Sequence, residues 1–286
     1  MTAEAAAPTT AGALIEWGAS RLSAAGLQSS ETDAALLLQS LVGVPATRIR
    51  ARPMTQLSAD QAGLYAGWIE RRSAGEPVAY IVGHQSFMGI ELLVDPRVLI
   101  VRPVTRLLAE AALELARLRG TTGLKAADVG TGSGAIALAL VVLEPRIEHI
   151  YATDISRDAL NVAAVNGDRY GVNDRVEWLE GDLLEPVPEP VDLVVANLPY
   201  VPASLASRER TFEPPVAIFG GEGGLALLRR FADQAPTKLR AGGALVLEIG
   251  PGQRPGVSRA LLEADPRLVI ETVPGVDHVL IAELPE

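Results

Sequence analysis

The stretch Asn197–Tyr200, Asn-Leu-Pro-Tyr, carries residue types that can hold a planar amino group. The Asn197 side-chain oxygen and the Leu198 carbonyl can each accept one N–H of an –NH2 group. Tyr200 can cover the planar group, and Pro199 stiffens the loop. Such a clamp would turn the lone-pair face of the nitrogen toward a methyl donor, a reaction that needs alignment and desolvation more than a histidine or cysteine base. An ordinary Asn-x-Pro turn is the alternative.

A glycine-rich turn, Asp128-Val129-Gly130-Thr131-Gly132-Ser133-Gly134, lies earlier in the chain, between a predicted strand and a predicted helix. Glycines there allow a tight turn and let a ligand approach without a Cβ in the way. Dinucleotide-binding enzymes space these glycines as G-x-G-x-x-G, which brings a pyrophosphate to the helix N-terminus. Here the third glycine follows one residue sooner, which favours a ligand without pyrophosphate, such as S-adenosylmethionine. A plain tight turn is the alternative.

Two acidic residues follow the next predicted strands. Asp154 is placed to accept hydrogen bonds from both ribose hydroxyls; its alternative role, a helix N-cap, can be filled by Ser156. Asp182 is placed to accept from the adenine amino group. Ligands of open α/β sheets bind outside the carboxyl ends of the strands, where all these motifs fall. The predicted cofactor site comprises Asp128, Gly130, Thr131, Gly132, Gly134, Asp154, Ile155, Asp182, Leu183 and Asn197.

Strand and helix patterns alternate over the C-terminal two thirds of the chain, which implies a mainly parallel sheet covered on both faces. The predicted strands are Ala126–Val129, His149–Thr153, Val176–Leu179, Leu193–Ala196, Ala244–Ile249, Leu268–Thr272 and His278–Ala282. The predicted helices are Thr105–Arg119, Ala135–Leu143, Asp158–Tyr170, Gly224–Leu239 and Arg254–Glu263.

The residues up to about 75 show helical patterns instead. A first helix would present one broad apolar face, formed by Leu14, Trp17, Leu22 and Leu27. Capping-box patterns at Ser30–Asp33 and Ser58–Gln61 predict the starts of two further helices. The span Val44–Pro53 is predicted to be a connector. The alternating, glycine-containing segment Ser86–Val94 predicts a β-hairpin.

Composition limits the classes of function. The chain has 286 residues, of which 48% are hydrophobic, so it can bury a substantial core. Its formal charge of −10 argues against direct nucleic-acid binding, which depends on basic residues. It has no cysteine, and its three histidines show no metal-ligand spacing, so we expect no metal. No segment approaches the ~18 apolar residues of a membrane span, and no basic signal region opens the chain. We therefore expect a cytoplasmic protein without membrane contact.

Several further motifs occur along the chain, and their combination identifies a protein family more specifically than any single motif does. They are Arg71-Arg72-x-x-Gly75-Glu76-Pro77-x-x-Tyr80-Ile81-x-Gly83, Phe87-x-Gly89, Leu99-Ile100-x-Arg102-Pro103-x-Thr105, Glu213-Pro214, Gly220-Gly221 and Glu248-Ile249-Gly250 with Gln253. Together with the glycine turn and the Asn-Leu-Pro-Tyr clamp, they resemble the HemK/PrmC family, the protein-(glutamine-N5) methyltransferases of peptide-chain release factors. The resemblance covers most of the chain.

The resemblance implies an α/β fold of the seven-stranded, Rossmann-like class I methyltransferase type behind a small N-terminal helical bundle. It divides the chain into a helical substrate-recognition domain (1–78), a β-hairpin linker (79–103) and a catalytic domain (104–286). It implies S-adenosylmethionine as methyl donor and S-adenosylhomocysteine as product. It also implies that Asn197, the Leu198 backbone and Tyr200, in a loop completed by Pro199, hold the amide of a glutamine in the Gly-Gly-Gln motif of a release factor.

Departures from the family pattern keep other acceptors open. Leu198 replaces the first proline of Asn-Pro-Pro-Tyr, Val104 and Arg106 replace two acids, and Gly223 stands where an aspartate is usual. A paralogue that methylates another protein or a small molecule is therefore an alternative. A nucleic-acid amino methyltransferase is a further one, because the clamp also resembles that of ribosomal RNA adenine dimethylases, but the negative charge argues against it. The intact clamp argues against a non-catalytic binding module.

Overall fold

A computed structural model describes residues 8–202, 212–273 and 276–286. The chain divides into two compact units, one up to Gly83 and one from His84 onward. The first unit contains the helices α1 (Ala11–Ala24), α2 (Ser30–Val42), α3 (Ala46–Ala51), α4 (Ala59–Ser73) and α5 (Val78–Val82). No helix in the described parts of the chain is long and apolar enough to cross a membrane.

The predicted apolar face of α1 is confirmed. Leu14 and Leu22 are fully buried against the core residues of α2 and α4, and Trp17 and Leu27 pack at the edge of that core. Leu27 lies just beyond the end of α1 rather than within it.

Two predictions in this unit are wrong. The span Val44–Pro53 is not a plain connector, because it contains α3, a helix too short to show a periodic pattern and anchored by the single buried side chain of Ile49. The helix start predicted there is confirmed, but the capping box at Ser30 does not form, because α2 begins at Ser30 itself. The Asp33 carboxylate instead accepts a hydrogen bond from Arg72 Nε at 2.8 Å, in a buried ion pair.

The capping box predicted at Ser58 is confirmed. The Ser58 hydroxyl accepts from the Gln61 backbone at 3.1 Å, and the Gln61 side chain accepts from the Ser58 backbone at 3.0 Å. We expect Ser58→Ala to lower the free energy of unfolding by about 1 kcal/mol in urea titrations, because the Gln61 backbone N–H in the first turn of α4 loses its acceptor. Ser58→Asp retains the acceptor and should stay close to wild type. Equal stability of all three proteins would show that the box contributes nothing.

The second unit is an α/β structure that opens with a hairpin and continues as a seven-stranded sheet. Its elements are β1 (His84–Phe87), β2 (Ile90–Leu93), α6 (Thr105–Leu118), β3 (Leu124–Val129), α7 (Ala135–Leu143), β4 (Ile147–Asp154), α8 (Arg157–Tyr170), β5 (Val176–Glu180), β6 (Val191–Ala196), α9 (Ala226–Gln234), β7 (Leu239–Glu248), α10 (Arg254–Ala264), β8 (Val269–Thr272) and β9 (Val279–Glu283). The sheet order is β5-β4-β3-β6-β7-β9-β8.

This topology confirms the predicted seven-stranded, Rossmann-like fold. The strands β3 to β7 are parallel, and β9 pairs antiparallel with both β7 and β8. The strand order reverses direction between β3 and β6, which is the topological switch point where ligands bind in such sheets. All seven predicted strands are present, with bounds that differ by a few residues.

The predicted helix Gly224–Leu239 is wrong at both ends. Gly223 and Gly224 have positive φ angles of 59° and 72°, so α9 starts only at Ala226. After Gln234 the chain forms a tighter 3-10 turn that contains Pro236, a residue with no N–H to continue an α-helix. Leu239 then begins β7, earlier than the predicted start at Ala244.

The predicted hairpin is confirmed as β1 and β2 joined by Met88 and Gly89. Both loop residues have positive φ, 51° and 84°, as a two-residue turn matched to the strand twist requires. The buried side chain of Asn166 ties this hairpin to the glycine turn. It accepts from the Leu93 backbone at 2.7 Å and donates to the carbonyls of Leu93 and Ser133 at 3.0 and 2.9 Å.

Candidate active site

The glycine turn joins β3 to α7 at the switch point of the sheet. Gly130, Gly132 and Gly134 have φ angles of 72°, 56° and 82°, so all three adopt the left-handed conformation that favours glycine. Behind the turn, the fully buried Asp128 carboxylate accepts from Thr131 Oγ1 at 2.6 Å and from the Ala137 backbone at 3.0 Å. Burial raises the pKa of Asp128 to about 6, although these hydrogen bonds oppose the rise.

Asp154, at the end of β4, faces the turn. Its Oδ2 accepts from the Gly132 backbone at 2.9 Å, and its Oδ1 accepts from the Ser156 backbone at 2.9 Å. Ser156 supplies the N-cap of α8, because its hydroxyl accepts from the Ala159 backbone at 3.2 Å. Asp154 is therefore not needed as a helix cap, and it lines the adjoining cavity. Burial raises its pKa, opposed by the backbone hydrogen bonds from Ser156 and Gly132.

A cleft opens at these strand ends and is called the cofactor cavity below. Seven of the predicted cofactor residues line it, namely Gly130, Gly132, Asp154, Ile155, Asp182, Leu183 and Asn197. The other three, Asp128, Thr131 and Gly134, do not line the cleft and lie behind it, where they shape the turn. Arg230, which the sequence prediction missed, also lines the cleft and forms an ion pair with Asp182.

A second cleft adjoins the first and is called the acceptor cavity. The two clefts share the lining residues Leu99, Asn197, Leu198, Pro199 and Ala217. The Asn-Leu-Pro segment is therefore the wall between them. A methyl donor in the cofactor cavity and a nitrogen in the acceptor cavity would meet at this segment.

Asn197 is held from behind by α6. Its Nδ2 donates to Thr105 Oγ1 at 3.0 Å, which leaves the side-chain oxygen Oδ1 for a ligand. Leu198, the substituted position of the clamp, is 3% exposed and belongs to the core around the sheet. A Cβ at Gly130 would lie 3.2 Å from its side chain, so Leu198 fills the space that the glycine leaves.

Tyr200 reaches across to the end of β7. Its hydroxyl donates to Glu248 Oε1 at 3.0 Å, and Glu248 is 1% exposed. The other oxygen, Oε2, is buried and has no hydrogen-bond partner among the described residues. Burial raises the pKa of Glu248, opposed by the nearby Thr105 hydroxyl, by the hydrogen bond from Tyr200 and by the charges of His278 and Arg102.

Thr105, Glu213 and Glu248 are site residues whose roles the sequence prediction did not identify. Buried Glu213 accepts from the Ile100 backbone at 3.1 Å and pairs with Arg102 at 2.5 Å, which fixes the segment beside the acceptor cavity. The sequence could have pointed to these three residues only by their position, because all three lie in motifs that carry the family resemblance.

The clamp loop, residues 197–200, packs against the glycine-rich turn at 220–224 and against Gln253. A Cβ at Gly220 or Gly224 would collide with the carbonyl of Pro199 or Tyr200, respectively, so the two loops pack backbone against backbone. Gln253 Nε2 donates to the Tyr200 carbonyl at 3.0 Å, and its Oε1 accepts from the Gly250 backbone at 2.9 Å.

We expect Gln253→Ala to lower turnover by about tenfold, because losing one such hydrogen bond costs ~1 kcal/mol and loosens the clamp. Cofactor affinity, measured by calorimetry, should change by less than about twofold, since Gln253 does not line the cofactor cavity. Gln253→Glu keeps the acceptor for Gly250 but cannot donate to Tyr200, so it should resemble the alanine variant. Wild-type turnover in both variants would show that the loop needs no such support.

Fold and site together define a Rossmann-like methyltransferase. The sequence profile described as the PrmC N-terminal domain matches residues 13–83, and the profile described as ribosomal protein L11 methyltransferase (PrmA) matches residues 105–202. The release factor glutamine methyltransferase of Moorella thermoacetica is 42% identical over 238 residues, which cover 82% of this chain and 83% of that protein. The corresponding enzyme of Bradyrhizobium diazoefficiens is 36% identical over 264 residues, 91% of this chain and 88% of that protein. The chain belongs to the release factor glutamine methyltransferase family.

A solved structure supports the fold independently. A methyltransferase from Pyrococcus furiosus aligns with a TM-score of 0.52 at 18% identity, over 70% of this chain and 92% of that one. At that identity the likeness shows the fold alone. The family membership confirms the resemblance on which the sequence analysis relied, and a methyltransferase family implies the use of S-adenosylmethionine.

Proposed function

We propose that this protein transfers a methyl group from S-adenosylmethionine to the side-chain amide nitrogen of the glutamine in the Gly-Gly-Gln motif of a peptide-chain release factor. The observation that carries the proposal is the meeting of two cavities at Asn197, whose side-chain oxygen is left available by the bond from Nδ2 to Thr105. The names of the relatives support the acceptor.

The residues of the cofactor cavity fit S-adenosylmethionine. Gly132 has open space where a Cβ would lie, so a ligand can approach the backbone of the turn. Asp154 offers carboxylate lone pairs for ribose hydroxyls, and Ile155 and Leu183 supply apolar surface for a purine. Asp182 would accept from the adenine amino group. Bound there, S-adenosylmethionine would supply an electrophilic methyl group and leave as S-adenosylhomocysteine, while the acceptor nitrogen would release one of its two N–H protons to solvent.

The chain's own contribution would be orientation and exclusion of water. Asn197 Oδ1 and the Leu198 carbonyl would accept the two N–H bonds of the glutamine amide, and Tyr200 would cover its plane. This arrangement aligns the nitrogen with the methyl donor, and alignment supplies a large part of the rate in such transfers. We propose that the reaction needs no metal and takes place in the cytoplasm.

We also propose the three-part domain assignment of the sequence analysis, 1–78, 79–103 and 104–286. The helical domain would provide a second binding surface for a large protein substrate. A small-molecule substrate would not need such a second surface. Nucleic acid is not the proposed acceptor, because a formal charge of −10 disfavours binding to a polyanion.

A second candidate is methylation of another protein of the translation apparatus, favoured by the profile over residues 105–202. In the deciding experiment, the full chain is incubated with labelled S-adenosylmethionine and, in separate reactions, with one of three acceptors. These acceptors are an intact release factor, ribosomal protein L11 and ribosomal RNA. We expect label in the release factor. Label in L11 or RNA alone would replace the proposed acceptor.

A further inference from the structure

Asn166 is a buried side chain of α8 that joins two distant segments of the second unit. It is 0% exposed and makes three hydrogen bonds. Its Oδ1 accepts from the Leu93 backbone N–H at 2.7 Å, and its Nδ2 donates to the carbonyls of Leu93 and Ser133 at 3.0 and 2.9 Å. Leu93 is the last residue of the hairpin strand β2, and Ser133 lies inside the glycine turn.

The Leu93 backbone fixes the orientation of the Asn166 amide. A backbone N–H can only donate, so the side-chain atom that faces it is the oxygen. The amide nitrogen then has two hydrogens for two carbonyls, which is the full donor capacity of an asparagine side chain. A flipped amide would set its oxygen against both carbonyls and leave them unsatisfied in a buried site. A single orientation therefore satisfies every group.

The glycine turn needs a restraint of this kind, because glycine adopts positive and negative φ about equally well. Gly132 and Gly134, on either side of Ser133, have φ angles of 56° and 82°. The peptide unit between Ser133 and Gly134 is held at both ends. Its carbonyl accepts from Asn166, and its N–H donates to the Thr131 carbonyl at 2.9 Å. These two bonds keep the peptide unit from rotating.

The two faces of the turn differ in what they meet. A Cβ on Gly134 would lie 3.1 Å from the Trp178 ring and 3.3 Å from Ala163, so this face is packed against the protein. Gly132 has open space where a Cβ would lie, and it lines the cofactor cavity. Asn166 does not line that cavity, so it can affect a ligand there only through the turn.

We propose that Asn166 is a positioning residue, which holds the Ser133 carbonyl and thereby keeps the glycine turn in the conformation that binds S-adenosylmethionine. The hairpin then belongs to the scaffold of the cofactor site, because Leu93 fixes the amide that fixes the turn. A turn that is ordered before the ligand arrives loses less conformational entropy on binding, which raises affinity. This inference rests on the proposed function and deepens it.

The binding test compares Asn166→Ala with Tyr170→Phe. Tyr170 lies one turn further along α8, and its hydroxyl accepts from the Glu91 backbone N–H at 2.6 Å, so it ties the hairpin rather than the turn to the same helix. Asn166→Ala leaves buried backbone groups unsatisfied and should weaken binding of S-adenosylhomocysteine by about tenfold or more in calorimetry. Tyr170→Phe should stay within about twofold of wild type.

Steady-state kinetics separate positioning from a general loss of stability. Asn166→Ala should raise KM for S-adenosylmethionine by about tenfold or more, while kcat and KM for the acceptor stay within about threefold of wild type. Thermal unfolding of each variant sets a temperature at which it is folded, and the kinetics are measured there. An equal rise of KM in Tyr170→Phe, or wild-type cofactor affinity in Asn166→Ala, would overturn the proposal.

Hydrogen exchange tests the turn without a methyl acceptor. In ligand-free wild-type protein the Gly134 N–H should be protected by about a hundredfold or more, because a preformed turn keeps its bond to Thr131. Tyr170→Phe should match wild type, and Asn166→Ala should exchange about tenfold faster or more. Should Asn166→Ala not fold, the wild-type measurement decides. Protection of Gly134 supports this inference even if no release factor is methylated. Fast exchange in wild type that slows only on adding S-adenosylhomocysteine would overturn it.

Discussion

Asn197→Ala should lower kcat by about a hundredfold or more while the dissociation constant for S-adenosylmethionine stays within about threefold of wild type. The variant removes the Oδ1 acceptor, which lies at the wall between the two cavities. It also removes the hydrogen bond to Thr105. The acceptor amide would then lose one of its two fixed contacts, and a misplacement of ~1 Å in such a reaction costs about a hundredfold in rate. Steady-state kinetics and calorimetry on the same preparation measure both quantities.

The matched control is Asn161→Ala, at an exposed position of α8. It should leave turnover and affinity unchanged, because its side chain lines neither cavity. If Asn197→Ala instead loses cofactor affinity in proportion to activity, Asn197 is a structural residue of the turn, and the clamp is assigned to the wrong group.

Asp154→Ala should weaken S-adenosylmethionine binding by roughly ten- to a hundredfold, the loss of a charge-assisted hydrogen bond worth ~1.5–3 kcal/mol. The structure adds a second reason, since Asp154 also accepts from the Gly132 and Ser156 backbones and so holds the turn in place. Turnover at saturating cofactor should fall much less than affinity, because Asp154 does not line the acceptor cavity.

Asp174→Ala, at an exposed loop position, is the control for loss of one negative charge. Calorimetry that finds wild-type affinity in Asp154→Ala would remove this residue from the cofactor site. Tighter binding of NAD than of S-adenosylmethionine by the wild-type protein would contradict the cofactor assignment as a whole.

The fold was predictable because its main signals are local. The buried strands and the helix Ala135–Leu143 are read from continuous apolar runs, and the order of strands and helices then leaves few topologies. The wrong predictions concern short segments, where too few residues are present to show a periodic pattern. Examples are the helix α3 and the positive-φ glycines that delay the start of α9. In α2 the helix already begins at Ser30, so the capping box cannot form there, and Asp33 pairs with the distant Arg72 instead.

The site was predictable where residues follow strand ends. Asp154, Asp182 and Asn197 all line the cofactor cavity because parallel strands bring their carboxyl ends to one edge. Contacts between distant segments were not predictable. The bond from Tyr200 to Glu248 and the ion pair from Arg230 to Asp182 depend on packing that no local pattern encodes.

None of the four departures from the family pattern is the residue that holds the Asn197 side chain, which is Thr105. Leu198 is buried in the core, and Gly223 adopts a positive φ of 59° in a tight turn. Arg106 is exposed and pairs with Glu110 one turn along α6. Val104 precedes α6 and provides no side-chain cap.

The central claim is tested most directly by mass spectrometry of a release factor incubated with this protein and S-adenosylmethionine. The proposal predicts a gain of one methyl group, located by fragmentation on the glutamine of the Gly-Gly-Gln motif, and no gain with the Asn197→Ala variant. An unmethylated glutamine, alongside demonstrated binding of S-adenosylmethionine, would contradict the proposed acceptor.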